Sequence, residues 1–208
     1  SAASDVYKRQ GQTLGIVGRT GAGKTTLVNL MLRIIDPDDD MLYIGGREIH
    51  TIPLQTLRAS TGYVMQDNFL FSDTIRNNIA FGDHTKSFEE IQQAAKMACV
   101  HDNIVDFPDG YETMVGERGV SLSGGQKQRI SIARALILDP EILILDDALS
   151  AVDTDTEEKI LENLKTLRHG KTNVIIAHRI STLQNADKII VVDGSRIIAV
   201  SYTHLTLP

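Results

Sequence analysis

Apolar and polar positions along the chain fall into two alternating periods. Thr13–Val17 (TLGIV), Ile142–Asp146 (ILILD) and Val174–Ala177 (VIIA) are short runs of leucine and β-branched residues, the pattern of strands buried on both faces. Met41–Ile44 and Tyr63–Gln66 read as further strands. Between these runs the period lengthens: Leu27, Leu30, Met31 and Ile34 stand at helical spacing in Lys24–Ile35. Pro53–Ser60, Asp73–Ala80, Phe88–Val100 and Asp153–Arg168 also predict helices, as does the stretch that Ser123 would cap and that runs through Leu138. Ile189–Val192 and Arg196–Ala199 predict a hairpin across Asp193-Gly194. Strands alternating with helices imply an α/β fold around a mostly parallel sheet. Residues 67–138 lack a strong strand pattern and predict an inserted helical subdomain.

Composition narrows the class. A chain of 208 residues suits one domain with a sizeable core and a subdomain. Its formal net charge is −6, and no basic run offers the clustered Lys/Arg that a nucleic-acid partner needs. The single cysteine, Cys99, rules out an internal disulfide and reads as a small buried hydrophobe on a helix. No apolar stretch approaches the roughly 20 residues that span a bilayer, so any membrane-spanning part would lie elsewhere. Asp36-Pro37-Asp38-Asp39-Asp40 reads as a solvated breaker. The two ends differ from the rest: Ser1–Gln10 and Val200–Pro208 resemble translated sequencing-adapter read-through. They are excluded from fold reasoning, with the expectation that the native-looking sequence, 11–199, is a fragment.

Gly18-Arg19-Thr20-Gly21-Ala22-Gly23-Lys24-Thr25 fits the phosphate-loop pattern G-x-x-x-x-G-K-[ST]. Its glycines let the backbone wrap phosphates with N–H groups pointing inward, and the helix that begins here turns its positive end to the anion. Lys24 can reach β- and γ-phosphates and the Thr25 hydroxyl can bind Mg²⁺. Gly18, Gly21, Ala22, Gly23, Lys24, Thr25 and Thr26 are therefore assigned to nucleotide contact. The strand Ile142–Leu145 ends in Asp146-Asp147. A strand of this kind delivers carboxylates beside a phosphate loop: Asp146 would hold Mg²⁺ through water, and Asp147 stands where a base orienting the attacking water is expected. The same pattern on its own also fits a helix cap.

Leu122-Ser123-Gly124-Gly125-Gln126 decides among phosphate-loop proteins. With it the chain resembles the nucleotide-binding domain of an ATP-binding-cassette (ABC) transporter of the exporter type, over about Gly11 to Ala199. The resemblance implies a RecA-like P-loop NTPase fold with a helical insertion and an antiparallel β subdomain, here truncated. It also implies ATP and Mg²⁺ as ligands and ATPase activity at the cytoplasmic face of a membrane. In the family this signature faces the nucleotide of the other protomer; Ser123 and the Gly124 and Gly125 amides, with Gln126, are suited to grip a γ-phosphate in trans. Gln66 resembles the glutamine that contacts Mg²⁺ or water and senses the transmembrane partner. Ser150-Ala151-Val152-Asp153 resembles the loop that crosses to the opposite protomer, and His178 the switch histidine that bonds the γ-phosphate. Asp67–Ile79, together with Glu117-Arg118-Gly119 before the signature, resembles exporter segments that meet the membrane domain. The implied partners are a second ABC ATPase domain, head to tail, and a transmembrane domain.

Two departures qualify this picture. Family members usually carry Glu where Asp147 stands. One methylene fewer draws the carboxylate back by about 1.5 Å, and an angstrom-scale misplacement can cost on the order of 100-fold in rate. The site on this chain's own phosphate loop is therefore expected to be slow, like the degenerate site of heterodimeric exporters. The adenine-stacking aromatic of the family lies upstream of the phosphate loop; Tyr7 is too close to Lys24 for that role. Two other functions stay open on sequence: a regulatory clamp that holds ATP and barely hydrolyses it, and a non-transport ABC ATPase acting on DNA or ribosomes.

Overall fold

The computed structural model describes residues 11–116, 119–184 and 186–202. The chain runs through β1 (Thr13–Val17), α1 (Lys24–Met31), β2 (Tyr43–Ile44), β3 (Arg47–Glu48), α2 (Leu54–Ala59), β4 (Thr61–Val64), α3 (Ile75–Ile79), α4 (Phe88–Met97) and α5 (His101–Val105). It continues through α6 (Gly124–Leu136), β5 (Ile142–Asp146), α7 (Thr154–Leu167), β6 (Thr172–Ile176), α8 (Ile180–Leu183), β7 (Lys188–Asp193) and β8 (Arg196–Tyr202).

Six strands form the main sheet in the order β4-β5-β6-β1-β7-β8, all parallel except β8. Alternate residues of the central strands feed two cores. Ile16, Ile144, Val174, Ile176 and Ile190 pack with Val28 and Leu32 on the α1 side. Leu143, Leu145 and Ile175 face the other way, into a core shared with Ile130 and Ala133 of α6 and Ile160 and Leu164 of α7. Burial on both faces is why β5 reads as an unbroken apolar run.

A separate two-stranded antiparallel sheet, β2–β3, turns over Gly45 (φ 58°) and Gly46 (φ 75°), the left-handed pair a tight hairpin requires. Of the expected strand Met41–Ile44 only Tyr43–Ile44 forms, as the first half of this sheet. Between residues 67 and 138 lie α3 to α6 and, among the described residues, only isolated bridges at Thr74–Met114 and Val115–Val120. The helical insertion is therefore present.

Several helices are shorter than their apolar pattern. α1 stops at Met31 because Arg33 turns left-handed (φ 48°), and the amides of Ile34 and Ile35 both fold back to Asn29 O. The predicted helix Phe88–Val100 divides at Cys99, also left-handed (φ 53°). Cys99 is thus a half-buried junction residue, not a helical one, and burial pushes its thiol pKa up. The terminal hairpin turns on Gly194-Ser195, one residue later than expected, and β8 runs to Tyr202, past the expected boundary at Ala199. The head Ser1–Gln10 with Tyr7, and residues 203–208, lie outside the described residues.

Candidate nucleotide site

The C-terminal edges of β1, β5 and β6 converge on one side of the sheet, the position where open parallel sheets bind ligands. The phosphate loop leaves β1 there. Gly18 allows close approach to β7: a Cβ in its place would sit 2.3 Å from Val192 O. Gly23 (φ 101°) packs against Ser195, whose amide donates to Ala22 O at 2.9 Å, so the β7–β8 turn buttresses the loop. α1 starts at Lys24 with no side-chain cap and no acidic residue in its first turn, leaving its N–H groups open to an anion. Lys24 is buried and donates to Gly18 O (2.8 Å) and Arg19 O (3.0 Å), so its ammonium lies inside the loop it would share with phosphate. Thr25 and Thr26 are exposed beside it.

Asp146 ends β5, buried, and its Oδ2 accepts from Thr25 Oγ1 at 3.2 Å and Tyr63 Oη at 3.3 Å. Burial raises the pKa of Asp146, assisted by the neighbouring Asp147 charge; the two hydroxyls and Lys24 pull the other way. Burial likewise pushes the Tyr63 phenol up to about 12, with the Asp146 charge adding to it. A carboxylate and a hydroxyl at hydrogen-bond distance make a hard-oxygen pair that fits Mg²⁺, which takes few protein ligands and completes its shell with water and phosphate. Tyr63 carries no motif; it is legible only as a polar group in an otherwise apolar strand.

Asp147 is left-handed (φ 50°), its amide bonded to Ile176 O at 3.0 Å. This turn, uncommon for a non-glycine residue, presents its Oδ2 to His178 Nε2 at 2.8 Å. His178 follows β6, which pairs with β5 in register Asp146–Ile176. Gln66 follows β4, whose Val64 pairs with Leu145, so it stands at the same edge, exposed, with its carbonyl accepting from Asn68.

The signature is elsewhere. Ser123 and Gly124 are solvent-exposed at the N-terminus of α6. Ser123 Oγ accepts from Gln126 N (3.2 Å) while Gln126 Oε1 accepts from Ser123 N (2.9 Å), a reciprocal cap. Gln126 is thus engaged in holding the turn open for the Gly124 and Gly125 amides. Gln128, two residues on and buried, donates to Ser150 Oγ (3.0 Å) and accepts from Ala151 N (2.9 Å). It welds the signature helix to Ser150–Asp153, and Gly125 permits the fit, since a Cβ there would lie 2.8 Å from Ala151 O. A glutamine on a helix carries no sign in the sequence of its burial or of these bonds. Glu117 and Arg118 of the expected membrane-domain contact lie outside the described residues.

Fold and site together define a P-loop nucleotide-binding ATPase domain. The chain belongs to the ABC transporter family, whose model matches residues 3–150. It is 51% identical over 199 residues to the probable multidrug resistance ABC transporter ATP-binding/permease protein YheI of Bacillus subtilis, covering 96% of this chain and 34% of that protein. It is 46% identical to the heavy metal tolerance protein of Schizosaccharomyces pombe, covering 90% of this chain and 23% of that protein. The solved structure of a bacterial Atm1-family ABC exporter with ATP bound superposes with a TM-score of 0.88 at 44% identity, over 93% of this chain and 34% of that one. The chain thus spans between about a quarter and a third of the length of these relatives.

Proposed function

We propose that this chain is the ATP-driven motor domain of an exporter. It binds ATP on Gly18–Thr26 and closes head to tail on a second ABC ATPase domain. The observation that carries the reading is the convergence at one sheet edge of Lys24, the Thr25–Asp146 pair and the Asp147–His178 pair. Lys24 and the α1 amides take the phosphates. Thr25 and Asp146, with Gln66 from the neighbouring strand, would hold Mg²⁺, which offsets charge on the β- and γ-phosphates. Asp147 orients a water whose oxygen attacks the γ-phosphorus while the bond to the β–γ bridging oxygen breaks; His178 donates to the γ-phosphate. Ser123, Gly124 and Gly125 serve the partner's nucleotide. No described helix is long and apolar enough to cross a membrane; the domain works at the cytoplasmic face against membrane segments supplied from outside residues 11–202.

Asp147 makes this chain's own site slow and favours a heterodimer in which the partner supplies Glu. The same residue favours a second reading, a clamp that holds ATP with little turnover, since its carboxylate is already paired with His178. Phosphate release from Mg-ATP by the full chain, beside Lys24→Ala, tests the main reading. Release that Lys24→Ala abolishes is expected; ATP binding without release supports the clamp; neither binding nor release contradicts both.

A further inference from the structure

A pocket of about 80 Å³ is lined by Asp147 and His178 together with Ile175, Thr182 and Glu157. Glu157, in the first turn of α7, is only 4% exposed. A carboxylate so placed needs partners, and both come from the segment that follows β6. The Thr182 hydroxyl donates to Oε1, and Arg179 Nη1 lies 3.5 Å from Oε2. Thr182 is itself buried, so its bond to the carboxylate is sheltered and charge-assisted. The Arg179 contact reaches an exposed guanidinium and is weak. His178 immediately precedes Arg179. One buried carboxylate therefore grips both ends of the short stretch that begins beside the switch histidine.

We propose that Glu157 is a positioning residue for His178. It fixes the 178–182 segment against α7 and so keeps the imidazole within reach of Asp147 and of a γ-phosphate. Because α7 is capped by Asp153, which accepts from Thr156 N at 2.9 Å, the same grip joins the Ser150–Asp153 loop to His178 through one helix. The proposal rests on the reading of His178 as the residue that meets the γ-phosphate. Among the described residues the side-chain bonds of Glu157 go to Arg179 and Thr182 and not to the phosphate loop or Asp146, so it sets geometry and not nucleotide affinity.

The test uses the full chain and three readouts: the His178 imidazole ¹H–¹³C cross-peak, assigned by its loss in His178→Ala; the Kd for Mg-ATP; and kcat. Glu157→Leu keeps the volume and removes both acceptors. It is expected to move the cross-peak and lower kcat about tenfold with Kd within about twofold, an angstrom-scale displacement being sufficient. Glu157→Gln, which still accepts from Thr182, is expected to restore most of both. If Glu157→Leu does not fold, Thr182→Val removes the same bond from the other side and is expected to move the cross-peak alike. An unmoved cross-peak in a folded variant overturns the proposal, as does a Kd that weakens in step with kcat. A moved cross-peak with turnover indifferent to His178→Ala upholds the positioning and overturns the reading of His178.

Discussion

His178 Nε2 lies 2.8 Å from Asp147 Oδ2, joining two loops that leave adjacent parallel strands. The carboxylate is buried, with its side chain 8% exposed, and the imidazole is 43% exposed, so the pair faces outward from the sheet edge on the histidine's side. If His178 bonds the γ-phosphate, His178→Ala removes one transition-state donor. A loss of turnover on the order of 100-fold is expected, with Mg-ATP affinity nearly unchanged because Lys24 and the α1 amides remain. Single-turnover phosphate release beside equilibrium nucleotide binding separates the two effects.

Asp146 is held at a cost. Its folded pKa is raised by burial, so the native state disfavours its charged form; stability from this group is full below the ordinary value of 3.8 and declines as pH rises through the folded pKa. Asp146→Asn keeps an oxygen for Thr25 and Tyr63 and removes the charge. Without nucleotide, its Tm at neutral pH is expected to exceed that of the parent by roughly 2–4 °C, the shift about 1 kcal/mol gives in a chain of this size. The difference should shrink toward zero below pH 4. Mg²⁺-dependent ATP affinity should fall in the same variant. A Tm that drops at neutral pH would contradict the assignment.

Tyr63 donates to Asp146 Oδ2 and so ties the strand leading to Gln66 to the carboxylate proposed to hold Mg²⁺. With its pKa pushed up to about 12, the phenol stays a donor throughout the working range. Tyr63→Phe is therefore expected to change the Mg²⁺ concentration needed for half-maximal ATP binding by several-fold, and by the same factor at pH 6 as at pH 9. A pH-dependent difference would mean that another group titrates there.

Gln128 fastens the signature helix to Ser150 and Ala151 from a buried position. Gln128→Leu leaves the Ala151 amide and the Ser150 hydroxyl without this partner, a cost of about 1–3 kcal/mol. Thermal unfolding should register that loss. Because the phosphate loop is untouched, Mg-ATP affinity should stay within about twofold, while the ATP-dependent dimerisation proposed to run through Ser123 and its neighbours should weaken.

Much of this arrangement was legible in the sequence, and unevenly so. β1 and β5 match their apolar runs residue for residue, since burial on both faces leaves a short unbroken run of leucine and β-branched residues. The phosphate loop and the signature were visible because they need glycines at fixed spacing. Helix ends were less visible. α1 and α4 stop two residues short of Arg33 and Cys99, whose left-handed backbone neither residue type signals, and the apolar pattern runs on past both. β3 is two residues long and follows from the Gly45-Gly46 turn, not from hydropathy. The supporting residues Tyr63, Gln128 and Glu157 were hidden for a different reason: each is a common polar residue whose meaning comes from what the fold packs around it.

Asp147→Glu tests whether the short carboxylate at position 147 limits turnover. The longer side chain restores the missing methylene at a position already aimed by the left-handed turn. Single-turnover phosphate release by the full chain, with Mg-ATP bound to saturation, is expected to accelerate by a factor on the order of 10 to 100, while the Kd for Mg-ATP stays the same. An unchanged rate with Mg-ATP bound would show that Asp147 does not limit this site, and would contradict the account.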